Sequence, residues 1–350
     1  MSIQKLGQQL WSPCATPELF HDRKHKVLFI GTDLEQDRSG IIQGLSNIAD
    51  VTLFEQVDGH YGQRYPKSAN EIEAVREHNG KRLMSYLNHS GQQTPFDTII
   101  GQMWGFCMPW WALAEARDRG AAVVNIAMDD RHAFVGCKLA DNTYGGTLGL
   151  VPYLSLACTD APECVKWYEI EGCKAVYFPE ASDPKIFHPF PGPKLYDACF
   201  VGANYGIRAK LVQAMERSGI RLAVYGNGWP NGRISTNEAA MLFARSRIVL
   251  GCGTIGYCED FPALKLRDFD GAMSGSFYLT YDNPDLHPLF RIGEEIATYD
   301  SIPKAVASAK YFLNHPEKME KMATAARQHA VASHTWEQRF HFLLSQLTLR

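Results

Sequence analysis

Two cationic residues lie close in sequence to a glycine or a proline. Such residues often mark turns and helix starts, where the backbone can bind an anion. Arg208 follows Gly202, the end of an apolar run, and Lys265 follows Pro262. Proline favours the first helical position, so we expect Pro262 to open a helix with Lys265 in its first turn. A helix N-terminus and a cationic side chain both attract phosphate. Arg208 and Lys265 are therefore candidates for phosphate binding, although most Arg and Lys side chains are simply solvated.

Further candidates are small or aromatic residues that follow apolar runs. Glycines there let a phosphate approach the backbone, and a tryptophan could stack on a base, but ordinary turns explain the same residues equally well. The run 251–256 is neither a P-loop nor a dinucleotide-binding motif. The candidates of this kind are Gly202, Gly226, Gly228, Trp229, Gly253 and Thr254.

Polar and aromatic residues also follow predicted strands in the first half of the chain. Asp129 and Asp130 come after the apolar run 121–128, with His132 close behind. Carboxylates at a strand end could orient or deprotonate a hydroxyl group, or cap the next helix. Asp130 lies one step further past the strand than Asp129 and is therefore the preferred candidate for a catalytic carboxylate. Trp104 follows another strand, and its ring would suit the C–H face of a sugar, although tryptophans are more often part of a core.

Asp268 and Asp270 have the spacing of a metal-binding Asp-x-Asp motif. They lie in a segment whose apolar residues have helical spacing. Side chains two residues apart on a helix point about 200° apart and cannot share one ion. We therefore expect no metal site here.

The composition excludes several classes of protein. The 350 residues suit two domains, and the net charge of −3 lacks the basic surplus of a nucleic-acid-binding protein. No stretch approaches the roughly 18 apolar residues of a membrane span, and the N-terminus has no signal-peptide core, so we expect a cytoplasmic protein. The nine cysteines form no C-x-x-C pair, which favours buried, reduced thiols over a zinc site or disulfides.

Apolar runs alternate with helix-like segments in both halves, which predicts an α/β fold with parallel, doubly wound sheets. Strands are expected at 26–31, 50–54, 96–101, 121–128, 151–158, 174–178, 196–202, 221–226, 247–251 and 276–281. Helices are expected from 40, at 69–89, 109–119, 162–171 and 208–215, and from 235.

Five prolines between 179 and 193 indicate a linker, and the last helix carries an apolar stripe typical of docking on the protein itself. The predicted organisation is an N-terminal extension (1–25), an N-terminal Rossmann-like domain (26–180), a linker (181–194), a C-terminal domain (195–330) and a C-terminal helix (331–350) that packs back on the N-terminal domain.

Three stretches resemble the CgeB-type (spore-maturation-type) branch of the GT-B glycosyltransferases. Residues 177–189 are similar to the family's "P-x-x-x-D-x-x-x-F-x-P" segment, which crosses between the two domains. The first two strands of the family's nucleotide domain are similar to 197–202, with Arg208, and to 224–229. Residues 264–280 resemble its "LK-x-R-x-FE" run, which continues through 289–299, 315–317 and 336–339. The resemblance covers roughly the last 175 residues well; the first 175 match mainly in their alternating pattern.

The resemblance implies a GT-B fold, with two doubly wound domains facing a cleft. It implies an acceptor site in the N-terminal domain (Trp104, Asp129, Asp130 and His132) and a donor site for a nucleotide-diphosphate sugar in the C-terminal domain. Arg208 and Lys265 would stabilise the departing diphosphate without a metal. Beyond the nucleotide sugar as co-substrate, no cofactor is implied.

The sequence departs from the family at two positions. Asp270 replaces the glutamate that binds the donor ribose in related retaining enzymes, and Pro262 stands where their first glutamate would be. The stereochemistry therefore stays open, as does the acceptor, which could be a carbohydrate, a protein or a small molecule. Two alternatives remain: a non-catalytic nucleotide- or sugar-binding protein, and a metal-dependent GT-A enzyme that uses Asp268 and Asp270.

Overall fold

The computed structural model describes residues 24–88, 95–255 and 258–348. For 258–260 and 348 it describes the backbone alone. These residues form two compact units. The N-terminal unit comprises 24–38, 42–179 and 337–348, and the C-terminal unit comprises 39–41 and 180–336. Nearly all of the predicted N-terminal extension, and Gly256 of the glycine run, lie outside the described residues.

The N-terminal unit is built on six parallel strands in the order β2-β1-β3-β4-β5-β6. Short apolar runs such as 27–30 are completely buried, as expected where helices cover both faces of a parallel sheet. The strands are β1 (His25–Ile30), β2 (Ala49–Leu53), β3 (Thr98–Gly101), β4 (Ala122–Ala127), β5 (Leu156–Thr159) and β6 (Ala175–Tyr177). The first helices are α1 (Leu34–Asp37), α2 (Ile41–Ile48), α3 (Ile72–Leu87), α4 (Trp110–Asp118), α5 (Asp130–Ala133) and α6 (Pro162–Ile170), with 3₁₀ turns at Ala69–Glu71 and Thr147–Tyr153.

The C-terminal unit has a five-stranded parallel sheet, in the order β13-β12-β9-β7-β8, and a separate antiparallel pair, β10-β11. Its strands are β7 (Tyr196–Val201), β8 (Leu222–Tyr225), β9 (Ser246–Leu250), β10 (Thr254–Ile255), β11 (Cys258–Pro262), β12 (Phe277–Tyr281) and β13 (Ala297–Tyr299). Its helices are α7 (Arg208–Arg217), α8 (Thr236–Ala244), α9 (Leu266–Met273), α10 (Ile302–Leu313) and α11 (Pro316–Ser333), with a 3₁₀ turn at Pro284–Leu286.

The last helix, α12 (Trp336–Thr348), returns to the N-terminal unit from Glu337 onward. Arg339 is fully buried there, and its Nε donates to the carbonyl of Pro179 at 2.9 Å. The ring of Phe340 lies 6.1 Å from that of Phe178. The structure therefore confirms the predicted α/β architecture of two doubly wound units and the return of the C-terminal helix.

Two predicted elements are wrong. The strand expected at 151–158 begins only at Leu156, because Pro152 and its neighbours form a 3₁₀ turn. Pro262 does not open a helix: it ends β11, paired with Thr254, and α9 begins at Leu266. A proline fits there because an edge strand leaves some N–H groups outside the ladder.

Within the described residues, no helix has both the length and the hydropathy to cross a membrane. The free cysteines are mostly buried, as predicted, and Cys137 is exposed. The buried thiols are Cys107, Cys158, Cys164, Cys173, Cys199 and Cys252.

Candidate functional site

The C-terminal sheet reverses its strand order at β7. From this first strand the chain reaches β8 on one side and β9 on the other. In open parallel sheets, ligands bind at such a switch point, outside the carboxyl ends of the strands. Here those ends are Val201 of β7 and Leu250 of β9. Side chains that reach both ends are therefore the first candidates for ligand binding.

Arg208 spans this switch point. It is the first residue of α7, and its side chain is only 3% exposed. One terminal nitrogen donates to the carbonyl of Ala203, after β7, and the other to that of Cys252, after β9, both at 2.9 Å. The guanidinium also lies 3.8 Å from the ring centre of Tyr205. Arg208 thus joins the loops that follow the two central strands.

Arg267, from α9, brings a second guanidinium to the same place. Its Nε donates to the carbonyl of Val201 at 2.8 Å, and its guanidinium lies 4.5 Å from the ring centre of Phe200. The sequence analysis did not single out Arg267 as a site residue. Two signals were present: Arg267 is a cation within an apolar helical stretch, a pattern that also fits an ordinary buried arginine, and it matches the arginine of the "LK-x-R-x-FE" run.

The two guanidinium groups are desolvated next to each other. Burial, followed by the positive charge of Arg267, lowers the pKa of Arg208. Within the described residues neither arginine forms an ion pair, and Nε of Arg208 and Nη1 of Arg267 have no hydrogen-bond partner. Buried charge is costly unless it is paired, and a phosphate accepts hydrogen bonds from arginine in the required geometry. The arrangement is that of an anion site.

Glycines let the loops around this pair come close together. A Cβ on Gly202 would lie 2.6 Å from Nη2 of Arg267, and one on Gly226, whose φ is +135°, would lie 2.2 Å from the carbonyl oxygen of Gly202. Trp229 donates from its indole N–H to that same oxygen at 2.8 Å. A larger residue at Gly226 would therefore push the two loops apart, and one at Gly202 would displace the guanidinium group of Arg267.

The other predicted glycines also serve close backbone approaches. Gly228 adopts a φ of +80°, and its carbonyl accepts a hydrogen bond from the side chain of Asn204 at 3.2 Å. A Cβ on Gly253 would lie 2.6 Å from the carbonyl oxygen of Ala263. Thr254, 1% exposed, belongs to β10. These residues shape the loops rather than offer side chains to a ligand.

Lys265 immediately precedes α9 and is half-buried. Its backbone N–H donates to Asp268 at 2.7 Å, so the carboxylate caps the helix. Asp270, on the opposite side of α9, accepts from the hydroxyl of Ser182 at 2.7 Å. Burial raises the pKa of both carboxyl groups. The side chains have separate partners, and no group of three potential metal ligands occurs within the described residues.

The N-terminal sheet has its own switch point, between β1 and β3, and a buried carboxyl group lies there. Asp37 accepts hydrogen bonds from the N–H of Thr32 at 2.9 Å, the hydroxyl of Tyr61 at 2.9 Å and the amide of Gln102 at 2.8 Å. Burial raises the pKa of Asp37 from its ordinary 3.8 to about 6. The sequence analysis missed Asp37, because contacts between loops leave no mark in a single sequence.

Asp129 and Asp130 follow β4, but they are not equally accessible. Asp130 is 1% exposed and accepts from the hydroxyls of Thr147 at 2.7 Å and Tyr168 at 3.0 Å. Burial raises its pKa. Asp129 is half-buried and His132 is exposed. Although Asp130 comes later after the strand, Asp129 is the more accessible carboxylate, because the short helix turns Asp130 inward.

An open pocket of about 620 Å³ lies beside this strand end. Arg131 lines this pocket and pairs with Glu163 at 2.5 Å. Its lining residues are Asp130, Arg131, His132, Phe134, Val135, Gly136 and Trp167.

Trp104, the remaining predicted site residue, follows β3 at the same edge of the N-terminal sheet. It is half-buried, and its ring lies within 6.2 Å of two other aromatic rings. The structure thus places Trp104, Asp129 and His132 after two neighbouring strands, β3 and β4.

Residues 208–345 match a protein-family model described as "Glycosyl transferase-like". No curated protein sequence matches the chain. The chain is similar to several solved structures, one of which is sucrose-phosphate synthase from Thermosynechococcus elongatus. The two chains are 11% identical with a TM-score of 0.65, and the match covers 93% of this chain and 98% of that one.

Two further structures show the same likeness. Anabaena HepE, in complex with UDP and glucose, has 10% identity and a TM-score of 0.63, covering 94% of this chain and 100% of that one. AviGT4, a glycosyltransferase involved in avilamycin A biosynthesis, has 14% identity and a TM-score of 0.57, covering 93% and 97%. At these identities the likeness concerns the fold, which is that of the GT-B glycosyltransferases.

Proposed function

We propose that this protein is a glycosyltransferase that moves a sugar from a nucleotide-diphosphate sugar to an acceptor hydroxyl group, and that it belongs to the CgeB-type branch of the GT-B enzymes. The observation that carries the proposal is the pair of buried guanidinium groups, Arg208 and Arg267, at the switch point of the C-terminal sheet. Together they supply positive charge, and within the described residues one nitrogen of each guanidinium group has no hydrogen-bond partner. The family match over 208–345 supports the same activity.

Donor binding would place the diphosphate against Arg208 and Arg267. As the bond between the anomeric carbon and the diphosphate oxygen breaks, the leaving group gains negative charge. Fixed cations in a desolvated site stabilise that charge more than water does. Lys265, just before the N-terminus of α9, would add a third positive charge. With three cations in this role, we propose that transfer needs no metal ion.

Acceptor activation would depend on Asp129. Its carboxylate would take the proton of the acceptor hydroxyl as the new bond to the anomeric carbon forms. Asp130 would keep the turn in place through its bonds to Thr147 and Tyr168. Within this proposal the acceptor site belongs to the N-terminal unit, the donor site belongs to the C-terminal unit, and the protein works in the cytoplasm.

The first test is nucleotide binding. HepE was solved with UDP, so UDP is the natural first probe, with uridine as the comparison. We expect calorimetry to show tighter binding of UDP than of uridine. Equal affinities would contradict the assignment of Arg208 and Arg267 to the diphosphate.

A second candidate is a binding protein without catalysis. The observation that favours it is Pro262, which occupies β11 at the position of the family's first glutamate. Incubation of UDP-glucose with and without candidate acceptors distinguishes the two candidates. An enzyme releases UDP slowly with water and faster with an acceptor, whereas a binding protein releases none.

A further inference from the structure

Three aromatic side chains form one cluster at the carboxyl edge of the N-terminal sheet. Tyr65, from the loop after β2, lies 6.0 Å from Trp104 and 6.2 Å from Phe106, measured between ring centres. Trp104 and Phe106, from the loop after β3, are 6.1 Å apart with ring planes 22° from parallel. Tyr65 is 39% exposed, and the other two side chains are half-buried. We call these three residues the aromatic platform.

Hydrogen bonds hold the platform in place. The backbone N–H of Gln63 donates to the carbonyl of Gly31, which fixes the loop after β2 to the end of β1. The side-chain amide of Gln63 donates to the hydroxyl of Tyr65 at 3.3 Å and contacts the carbonyl of Gln102. Gln102 in turn donates to Asp37 at 2.8 Å. Tyr65 and its loop are therefore held in position without a ligand, which reduces the entropic cost of binding.

The exposure of the platform distinguishes it from an ordinary core cluster. A ring buried in the core, such as that of Phe54 at 0% exposure, has no surface to offer a ligand. The platform instead offers ring surface together with the polar groups of Tyr65 and its loop. A pyranose has matching features, namely an apolar C–H face and a rim of hydroxyl groups.

We propose that the acceptor is a carbohydrate, and that one of its sugar rings stacks on the aromatic platform. This inference rests on the proposed function, whose acceptor class it specifies. Strand β4, which leads to Asp129, is the immediate neighbour of β3, which leads to Trp104. Neighbouring strands lie about 4.8 Å apart, close to the width of one sugar ring. A sugar on the platform can therefore present a hydroxyl group toward the end of β4.

The test compares acceptor kinetics in platform and control variants. UDP-glucose serves as donor, and maltose, cellobiose and lactose serve as acceptors beside a serine- and threonine-containing peptide. Trp104→Leu and Tyr65→Leu remove ring surface, and Trp104→Phe restores an aromatic ring. Tyr311→Leu is the matched control, since Tyr311 is an exposed tyrosine (44%) in an aromatic cluster of the C-terminal unit.

We expect transfer to at least one disaccharide. In Trp104→Leu the KM for that sugar should rise roughly 10–100-fold with little change in kcat, the usual scale for loss of an aromatic anchor. Trp104→Phe should recover most of the affinity, and Tyr311→Leu should behave as wild type. Transfer to the peptide alone, or a sugar KM that Trp104→Leu leaves unchanged, would overturn the inference.

Hydrolysis of UDP-glucose by water separates this inference from the proposed function, because it needs no acceptor sugar. If the donor is hydrolysed but the platform variants leave the KM for the sugar unchanged, the proposed function stands and the carbohydrate class is overturned. If wild type neither binds UDP nor hydrolyses the donor, the proposed function fails. In that case saturation-transfer NMR with the same disaccharides tests sugar binding by the platform independently of catalysis. Binding that Trp104→Leu abolishes supports the platform as a sugar site, and the absence of binding to wild type overturns that assignment.

Discussion

Replacement of one arginine at the switch point tests the donor site most directly. Arg267→Met keeps much of the side-chain length over Phe200 but removes the charge and the bond to Val201. A hydrogen bond to a charged group contributes about 1.5–3 kcal/mol, so UDP affinity should fall roughly 10–150-fold. Affinity for uridine should change little, since the lost charge acts on the phosphates.

The same substitution should affect the protein without ligand much less. Within the described residues Arg267 makes one side-chain hydrogen bond. Its charge is, after burial, the second cause of the lowered pKa of Arg208, and the substitution removes that repulsion. Arg208→Met removes two hydrogen bonds that join the loops after β7 and β9, so it should cost more stability for a similar loss of UDP affinity. The difference between the two variants follows directly from their contacts.

Thermal shift measures both effects in one experiment. UDP at 100 times its Kd stabilises wild type by about 2.7 kcal/mol, which corresponds to roughly 5–10 °C for a unit of this size. A 100-fold weaker Kd leaves about 0.4 kcal/mol at the same concentration. Arg221→Met is the matched control. Arg221 is exposed and immediately precedes β8, so it lies at the amino ends of the strands, whereas the switch-point site lies at their carboxyl ends. A folded Arg267→Met protein with the full UDP shift would refute the assignment.

Four further outcomes are expected. Donor hydrolysis should survive EDTA; complete loss that Mn²⁺ restores would revive a metal-dependent mechanism. Asp129→Asn should lower transfer about 10²–10⁴-fold while donor hydrolysis continues, and transfer within about threefold of wild type would remove Asp129 from the mechanism. Asp130→Asn should instead lower the unfolding free energy by about 1–3 kcal/mol, measured by urea denaturation, because it disturbs buried bonds to Thr147 and Tyr168. The pKa of Asp37 is raised to about 6, so the folded state holds this proton more tightly than the unfolded state, and the group's contribution to stability falls as pH rises from about 4 to 6. In urea titrations over that interval, the unfolding free energy of Asp37→Asn should therefore rise by up to about 3 kcal/mol relative to that of wild type. A difference that does not depend on pH would contradict this.

The regular elements of the fold were predictable because their signals are local. Continuous apolar runs such as 27–30 and 248–250 are buried in parallel strands, and Ser235 caps α8, the helix predicted from 235, in a capping box with Glu238. The failures occurred where local signals conflict. Pro262 fits a helix start as well as an edge strand, and only its pairing with Thr254 decides between them.

The candidate site was predictable only in part, because its geometry is set by contacts across the sequence. The glycine after β7 pointed to Arg208, and the structure adds that this residue bridges two strand ends. Arg267 joins it from 59 positions away, through a helix whose sequence reads as core. The inward turn of Asp130 likewise depends on Thr147 and Tyr168, which no spacing rule connects to it.

The path of the chain has a consequence for the order in which the protein folds. The N-terminal unit includes 337–348, yet the whole segment 180–336 is synthesised between its two parts. Phe178 and the carbonyl of Pro179 find their partners Phe340 and Arg339 only when the final helix has left the ribosome. Of the two units, the N-terminal one can therefore be completed only after 180–336 has been synthesised, and until then the apolar surface that α12 covers is open to chaperones.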